Sequence, residues 1–208
     1  MCVPSFDMSA AVRAVRTGKV LVYPTETFWA LGGNACLPDV ARRVAGIKGR
    51  PGEKPLPVII GKMADLKTFF LPSKQELEIA SLFWPGPLTI AVKSGPDLDS
   101  GLSDRQGRVS VRWSAHGDAC RLADLAGVPL ISTSANLSGD TPVRDFSELQ
   151  EAVKNKADFC LQTGDAPGGG LPSTVIEVTG KMRCRILRPG KISREEIRKK
   201  GLECPAED

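Results

Sequence analysis

Short apolar segments alternate with helical patterns along almost the whole chain, and this alternation most limits how the chain can fold. None of the apolar segments is long enough to cross a bilayer. Their length and content of branched residues instead predict buried strands. These lie at residues 20–23, 57–60, 88–92, 109–112, 129–131, 159–161, 174–178 and 184–187.

The segments between these strands have the spacing of amphipathic helices. Helices are predicted at residues 6–17, 39–47, 63–70, 73–82, 118–126 and 193–200, with a further helix after Ser147. Strands and helices are mixed without an internal repeat, which predicts an α/β fold with a twisted mixed β-sheet and flanking helices. The length of 208 residues suits a single domain over 1–208, with a core at about 8–192 and a frayed tail from Glu203.

The composition favours a globular protein of the cytoplasm. Hydrophobic residues make up 41% and charged residues 25% of the chain. Asp7, Arg13 and Arg16 interrupt the first apolar residues, which fits an amphipathic helix rather than a signal peptide. We therefore expect cytoplasmic localisation and no membrane partner. The six cysteines form no CxxC pair and are expected to be free thiols.

A basic loop follows the second predicted helix. Lys48, Arg50 and Lys54 lie within seven residues, on a stretch kept open by glycine and proline. Arginine offers a planar fork and lysine a compact charge, so the loop could hold a polyphosphate. A solvated basic loop or a contact with an RNA backbone remains open on charge alone. The net charge of +4 is too small to require a nucleic-acid partner.

A polar loop follows the apolar residues 128–131. It contains Ser132, Ser134 and Asn136. Open α/β sheets bind ligands at the carboxyl ends of strands, and small hydroxyls and amides suit phosphate or ribose. The same residue types also cap helices and close turns, which is the competing interpretation.

A third polar loop contains Thr25, Glu26 and Thr27, directly after the first predicted strand. Its hydroxyls and carboxylate could bind an amine or hydroxyl of a small substrate, or simply form a capped turn. Residues 173–174 and 188–190 are further polar segments beside predicted strands. The chain has no P-loop, GxGxxG, HExxH or GxSxG motif, and its single histidine disfavours a histidine-based triad or a zinc site.

Taken together, these segments resemble the YrdC-like family of threonylcarbamoyl-adenylate synthases. The family carries PTET, KxRP with KPL, SxSAN with SG, ST and LRPG motifs. In this chain they correspond to residues 24–27, 48–51 with 54–56, 132–136 with 138–139, 173–174 and 187–190. Their order and spacing match, and the resemblance covers roughly residues 8–192.

The resemblance implies a YrdC-like fold around a basic concave cavity, and an enzyme of the nucleotidyltransferase class. The family forms threonylcarbamoyl-AMP and pyrophosphate from L-threonine, bicarbonate and ATP. A downstream tRNA threonylcarbamoyl transferase complex then modifies an adenosine of tRNAs that read ANN codons. ATP is a substrate, and Mg²⁺ is expected to accompany it.

The resemblance also assigns residues. Lys48 and Arg50 are implied to contact the ATP phosphates as catalytic groups, and no residue is assigned to a metal. The nucleotide site also includes Ser132, Ser134, Asn136 and Arg188, and the threonine and carboxylate side includes Thr25, Lys54, Arg112 and Ser173. Trp29 and Ala30 stand where the family usually has tyrosine and glycine, a departure that concerns the shape of the pocket.

Two other functions compete with this one. A module that binds double-stranded RNA or ribosomal RNA precursors would use the same basic cavity, at least for weak RNA binding. RNA platforms often stack bases on aromatic side chains, but aromatic residues make up only 5% of this chain. The third possibility is a structural or regulatory partner without catalysis.

Overall fold

The computed structural model describes residues 4–50, 55–162 and 165–205. Lys54 lies outside the described residues. The strands are β1 (Pro4–Ser5), β2 (Leu21–Pro24), β3 (Trp29–Gly32), β4 (Val58–Ile60), β5 (Leu88–Lys93), β6 (Arg108–Trp113), β7 (Leu130–Ile131), β8 (Thr133–Ser134), β9 (Phe159–Leu161), β10 (Thr174–Gly180) and β11 (Arg183–Arg188). The helices are α1 (Met8–Arg16), α2 (Pro38–Lys48), α3 (Asp65–Phe69), α4 (Lys74–Phe83), α5 (Gly117–Ala126), α6 (Glu151–Lys154) and α7 (Arg194–Lys199).

The strands form two mixed sheets. One has five strands in the order β1-β9-β2-β3-β8, and the other has six in the order β11-β10-β5-β6-β4-β7. Strand β2 is parallel to β9 and antiparallel to β3. Strand β4 is likewise parallel to β6 and antiparallel to β7. The predicted mixed α/β class is confirmed, with the strands divided between two sheets.

Capping residues set where several helices begin. The Asp7 carboxylate accepts from the backbone N–H of Ala10 at 3.0 Å and starts α1. Ser73 and Glu76 form a capping box at α4, as do Ser193 and Glu196 at α7. Such caps stabilise a helix by about 1 kcal/mol each, so local sequence fixes these starts.

Helices α1 and α5 pack against each other and share one apolar core. This core contains Ala11, Val15, Leu122 and Leu130, all with 0% exposure. Fully burying a leucine side chain stabilises the fold by roughly 1.5–3 kcal/mol. A second and larger core reaches from Val20 to Cys204 and joins both sheets. The sheets are therefore held in a fixed relation at the place where they meet.

The chain passes directly from one sheet to the other at Ser132. Strand β7 ends at Ile131 in the six-stranded sheet, and β8 begins at Thr133 in the five-stranded sheet. Gly32 lets β3 come close at this crossing, because a Cβ atom there would lie 1.5 Å from the carbonyl oxygen of Ile131. Only glycine fits such an approach of two backbones.

The tail that the sequence predicts to be frayed begins with Glu203 and Cys204, which both contact the rest of the fold. The backbone N–H of Glu203 donates to the carbonyl of Met182 at 2.8 Å, and Cys204 is 1% exposed. The expectation of free thiols holds for Cys36, Cys120, Cys184 and Cys204. It is wrong for Cys160, which is disulfide-bonded. No helix in the described ranges has the length and apolar character needed to cross a membrane.

Candidate active site

A cavity of about 240 Å³ lies where the two sheets meet. The sequence motifs converge on it from both sheets, since β3 and β8 belong to one sheet and β4, β5, β6 and β11 to the other. Seven of the residues assigned from the sequence line its wall: Thr25, Arg50, Arg112, Ser132, Ser134, Ser173 and Arg188. The fold thus brings together groups that are up to 163 residues apart, from Thr25 to Arg188.

Three arginines make the cavity cationic. Burial lowers the pKa of Arg50, and burial together with the nearby Arg50 charge lowers the pKa of Arg188. Burial also lowers the pKa of Arg112 to about 10, so Arg112 remains charged at neutral pH. Like charges held this close in a partly dry cavity favour an anionic ligand between them.

Arg188 is oriented by the segment around Ser173. Its guanidinium donates to the carbonyl of Ser173 at 2.8 Å and to the Ser173 hydroxyl at 3.1 Å. Gly190 allows this contact, because a Cβ atom there would lie 2.3 Å from the carbonyl oxygen of Pro172. The glycine of the LRPG motif therefore brings its arginine against the ST segment.

Arg112, which lines the cavity, is paired with the carboxylate of Glu26. Its guanidinium donates to one oxygen of Glu26, and the Ser114 hydroxyl donates to the other. The side chains of Arg112 and Glu26 are only 7% and 14% exposed. In so little solvent, an unpaired charge would be costly, so Glu26 supplies the counterion of Arg112.

Lys48 does not line the cavity. Its ammonium donates to the carbonyl of Ser134 and, at 2.7 Å, to the carbonyl of Asn136. Burial, together with the positive charge of Arg50, lowers the pKa of Lys48 to about 8. The lysine thus ties the end of α2 to the backbone of the SxSAN loop, directly behind the cavity wall.

Asn136 also lies behind the wall rather than in it. Its amide donates to the carbonyls of Leu137 and Asp140, at 2.8 and 2.7 Å. Asn136 is 5% exposed, and its side-chain oxygen has no partner among the described residues. Its contacts shape the loop that presents Ser134.

The PTET loop is closed by its own hydroxyls. Thr25 donates from Oγ1 to the carbonyl of Phe28 at 2.7 Å, and its hydroxyl lies 3.2 Å from that of Thr27. On the opposite wall, Thr89 donates to the Ser173 hydroxyl at 2.8 Å. These contacts fix small hydroxyl groups around the cavity without filling it.

The two family departures lie in strand β3. Ala30 pairs with Tyr23 and with Ser134 in regular antiparallel ladders, where alanine is as suitable as glycine. Trp29 lines the cavity, donates from its indole N–H to the carbonyl of Arg144 at 2.8 Å, and packs edge-on against Phe146. The indole is therefore a fixed wall of the site.

The sequence alone gives no role to three residues of the site region. Glu26 stands there only as part of a polar loop, and no motif includes Ser114 or Thr89. Ser114 directly follows β6, and Thr89 is the second residue of β5. A small hydroxyl residue in or next to a predicted strand is the sequence feature that could have identified them. No local sequence feature predicts the Glu26–Arg112 pair, because its two residues are 86 positions apart in the chain.

The donors around the cavity suit an anion rather than a bare metal ion. They are guanidinium groups and hydroxyls, and the described part of the chain contains no group of three histidine, cysteine or acidic side chains placed to hold a metal. Fold and site together define an α/β protein with an arginine-lined cavity for a small anionic ligand.

The chain belongs to the Sua5, YciO and YrdC family, whose model, described as "Telomere recombination", matches residues 13–190. It is 32% identical over 198 residues to the threonylcarbamoyl-AMP synthase of Pyrococcus abyssi, covering 95% of this chain and 58% of that protein. The Stenotrophomonas maltophilia threonylcarbamoyl-AMP synthase is 34% identical over 169 residues, covering 79% of this chain and 88% of the relative. The chain therefore spans little more than half of the first of these relatives.

Solved structures agree with this assignment. Sua5 of P. abyssi in complex with L-threonine superposes with a TM-score of 0.87 at 29% identity, covering 99% of this chain and 62% of that one. Escherichia coli YciO superposes with a TM-score of 0.81 at 23% identity, covering 91% and 96%, and shows the shared fold. The expected YrdC-like fold is thereby confirmed.

Proposed function

We propose that this chain is an L-threonylcarbamoyladenylate synthase, which converts L-threonine, bicarbonate and ATP to threonylcarbamoyl-AMP and pyrophosphate. The observation that carries the proposal is the meeting of Arg50, Arg112 and Arg188 with small hydroxyls in one cavity. The relatives named threonylcarbamoyl-AMP synthases and the L-threonine complex of P. abyssi Sua5 support it.

In this proposal the reaction needs positioning and fixed positive charge rather than a covalent nucleophile. The amine of threonine takes up carbon dioxide from bicarbonate, and the new carboxylate attacks the α-phosphorus of ATP. Negative charge grows on the phosphates as the bond to pyrophosphate breaks. Arg50 and Arg188 are placed to stabilise it, because both are charged, partly desolvated and close to each other.

The proposed amino-acid side of the cavity is formed by Thr25, Arg112 and Ser173. Arg112 offers the fork that a carboxylate prefers, and the two hydroxyls offer neutral hydrogen bonds. Lys54 is proposed here from the family motif alone. Serine lacks only the methyl group of threonine, so we expect discrimination by roughly 1–3 kcal/mol, or about 10- to 200-fold.

Lys48 takes a different place in the proposal from the one implied by its motif. To touch a phosphate, its ammonium would have to leave the carbonyls of Ser134 and Asn136. The contacts present support a role in fixing the nucleotide loop, in which Ser132 and Ser134 face the nucleotide and Asn136 shapes the turn behind them.

ATP enters this reaction as its magnesium complex, so we treat Mg²⁺ as part of the substrate. The activity would consume cellular ATP and serve tRNA, which places the protein in the cytoplasm and upstream of a tRNA threonylcarbamoyl transferase complex. We also infer that the chain folds as one domain, because the larger of its two apolar cores runs from Val20 to Cys204 and joins both sheets.

The test is exchange of labelled pyrophosphate into ATP, measured with and without threonine and bicarbonate. We expect exchange only when both are present, with threonylcarbamoyl-AMP detected by mass spectrometry and serine a weaker substrate. Pyrophosphate exchange that does not depend on threonine, or no exchange at all, would contradict the proposal. Binding of double-stranded RNA that survives 0.5 M salt, with no exchange, would favour the RNA-binding alternative.

A further inference from the structure

Two buried thiols outside the cavity lie in contact. The Sγ atoms of Cys184 and Cys204 are 3.0 Å apart, and both residues are 1% exposed. Cys184 belongs to β11, whereas Cys204 belongs to the segment 201–205 that follows α7. The family motifs and the proposed reaction leave this pair without a role.

The backbone holds the two cysteines side by side. Glu203 forms a parallel bridge with Arg183, the N–H of Cys184 donates to the carbonyl of Glu203 at 2.9 Å, and the N–H of Glu203 donates to the carbonyl of Met182 at 2.8 Å. Cys184 and Cys204 are the next residues along these two paired segments. Paired backbones lie about 5 Å apart, which falls within the range of Cα separations found in disulfides.

A metal site is a poor explanation of the pair. Zinc bound by protein alone takes four ligands, and the residues that the structure describes hold no cluster of three histidine, cysteine or acidic groups. Two thiols whose sulfur atoms lie 3.0 Å apart have one other common chemistry, which is oxidation to a disulfide.

We propose that Cys184 and Cys204 form a disulfide cross-link in the folded protein when a small-molecule disulfide is the oxidant. One thiol loses its proton, and the thiolate attacks a sulfur of the oxidant, forming a mixed disulfide and releasing one small thiol. The second cysteine thiolate then displaces the other small thiol. The two protein sulfurs are oxidised together, and two molecules of small thiol are the reduced products.

The packing determines how fast this step runs. Burial and, to a smaller extent, the contact with Cys204 raise the pKa of the Cys184 thiol to about 12. Little thiolate therefore exists while residues 201–205 are packed against β11. Exchange therefore requires residues 201–205 to detach briefly, which costs less than global unfolding for a segment at the edge of a sheet. Cross-linking is expected to be slow on the folded protein and fast during refolding.

The cross-link would close a loop that contains both Arg188 and helix α7. A loop of this size restricts the unfolded chain and raises the melting temperature by roughly 5–10 °C. The expected effect is a more stable attachment of the strand that carries Arg188.

The experiment uses the full chain, refolded from denaturant with either a reduced and oxidised glutathione mixture or a phosphine reductant. Free thiols are blocked with N-ethylmaleimide in denaturant, where the buried pair is accessible, and the protein is then digested with trypsin without reduction. We expect the dipeptide of Cys184 and Arg185 joined to the peptide 201–208 in most molecules from the glutathione sample, with a mass two hydrogens below the sum. In the reduced sample both cysteines should carry maleimide.

Cys204→Ala is the test variant and Cys36→Ala the matched control, since Cys36 is a free thiol on another part of the chain. Oxidative refolding should raise the melting temperature of the control by about 5 °C more than that of Cys204→Ala. Maleimide or glutathione on both cysteines of the glutathione sample would overturn the proposal. The peptide masses are measured on the chain without substitutions, so they test the proposal even if Cys204→Ala fails to fold.

Discussion

The guanidinium of Arg112 donates to the carboxylate of Glu26, and this pair joins the PTET loop to the end of β6 inside the cavity wall. Ser114 donates to the second carboxylate oxygen, so neither oxygen of Glu26 points freely into the cavity. In the proposed reaction, a substrate carboxylate would approach the same guanidinium. Glu26 and the substrate would then compete for one cation.

This relationship gives opposite expectations for stability and binding in Glu26→Gln. The amide keeps the shape but removes the counterion of a buried guanidinium, so the free energy of unfolding should fall by about 1–3 kcal/mol. Threonine should bind more tightly, because no carboxylate competes for Arg112. Chemical denaturation and calorimetric titration measure the two effects.

Glu177→Gln is the matched control, since Glu177 pairs with Arg185 outside the cavity. It should leave threonine affinity unchanged. A tenfold weaker binding of threonine by Glu26→Gln would show instead that the carboxylate contacts the substrate directly, for example its ammonium group.

Arg50→Ala tests the phosphate side of the cavity. Loss of a charge-assisted contact should weaken ATP binding or turnover at least about tenfold, which corresponds to roughly 1.4 kcal/mol. Arg50→Lys, which keeps the charge but not the fork, should recover part of the loss. Steady-state kinetics with ATP as the varied substrate measure this effect, and unchanged kinetics in Arg50→Ala would remove Arg50 from the site.

Lys48 should make stability depend on pH in a defined window. Its pKa is lowered from 10.5 to about 8 in the folded chain, so between these values the unfolded chain binds more protons. The free energy of unfolding should therefore rise with pH across this window. Below pH 8 both states are protonated, and the contribution of Lys48 should stay constant.

Lys48→Met removes the titrating group while keeping most of its length. Denaturation of both proteins at several pH values gives the difference in stability, which cancels the titration of other groups. This difference, wild type minus variant, should increase in favour of wild type from pH 8 to 10. A difference that stays flat or falls would contradict the assignment of a lowered pKa to Lys48.

Ser134→Ala separates a ligand contact from a structural one. Ser134 lines the cavity, and the contacts behind its loop come from its carbonyl rather than its hydroxyl. Activity should therefore fall while the melting temperature stays within about 1 °C of wild type. A turn-capping hydroxyl would instead stabilise the fold by about 0.5–2 kcal/mol. A destabilised but fully active variant would assign the hydroxyl to the scaffold.

Local sequence was sufficient for the features that local chemistry determines. The caps at Asp7 and Ser193 and the buried strands around Ile59 and Ile90 follow from spacing and residue type. The short strands β3 and β8 were not predicted, because each depends on pairing with the other across the chain. A two-residue strand such as Thr133–Ser134 has no periodicity of its own.

The candidate site divides in the same way. Motif resemblance assigned ten residues to the site, and seven of them line one cavity. It could not say that Lys48 would turn toward two carbonyls or that Glu26 would meet Arg112. These two contacts depend on which buried donors and acceptors lie within hydrogen-bond distance. That is determined only by the packing of both sheets. Lys54 stays a prediction.

The crossing at Ser132 has a mechanical consequence. A molecule that touches both Thr133 and Arg188 would bridge the two sheets at the wall where the backbone passes from one sheet to the other at Ser132. Such a molecule would act as a brace, damping any hinge-like motion of one sheet against the other. Amide hydrogen exchange should then slow in β3 and β10 together, although neither strand is hydrogen-bonded to the other.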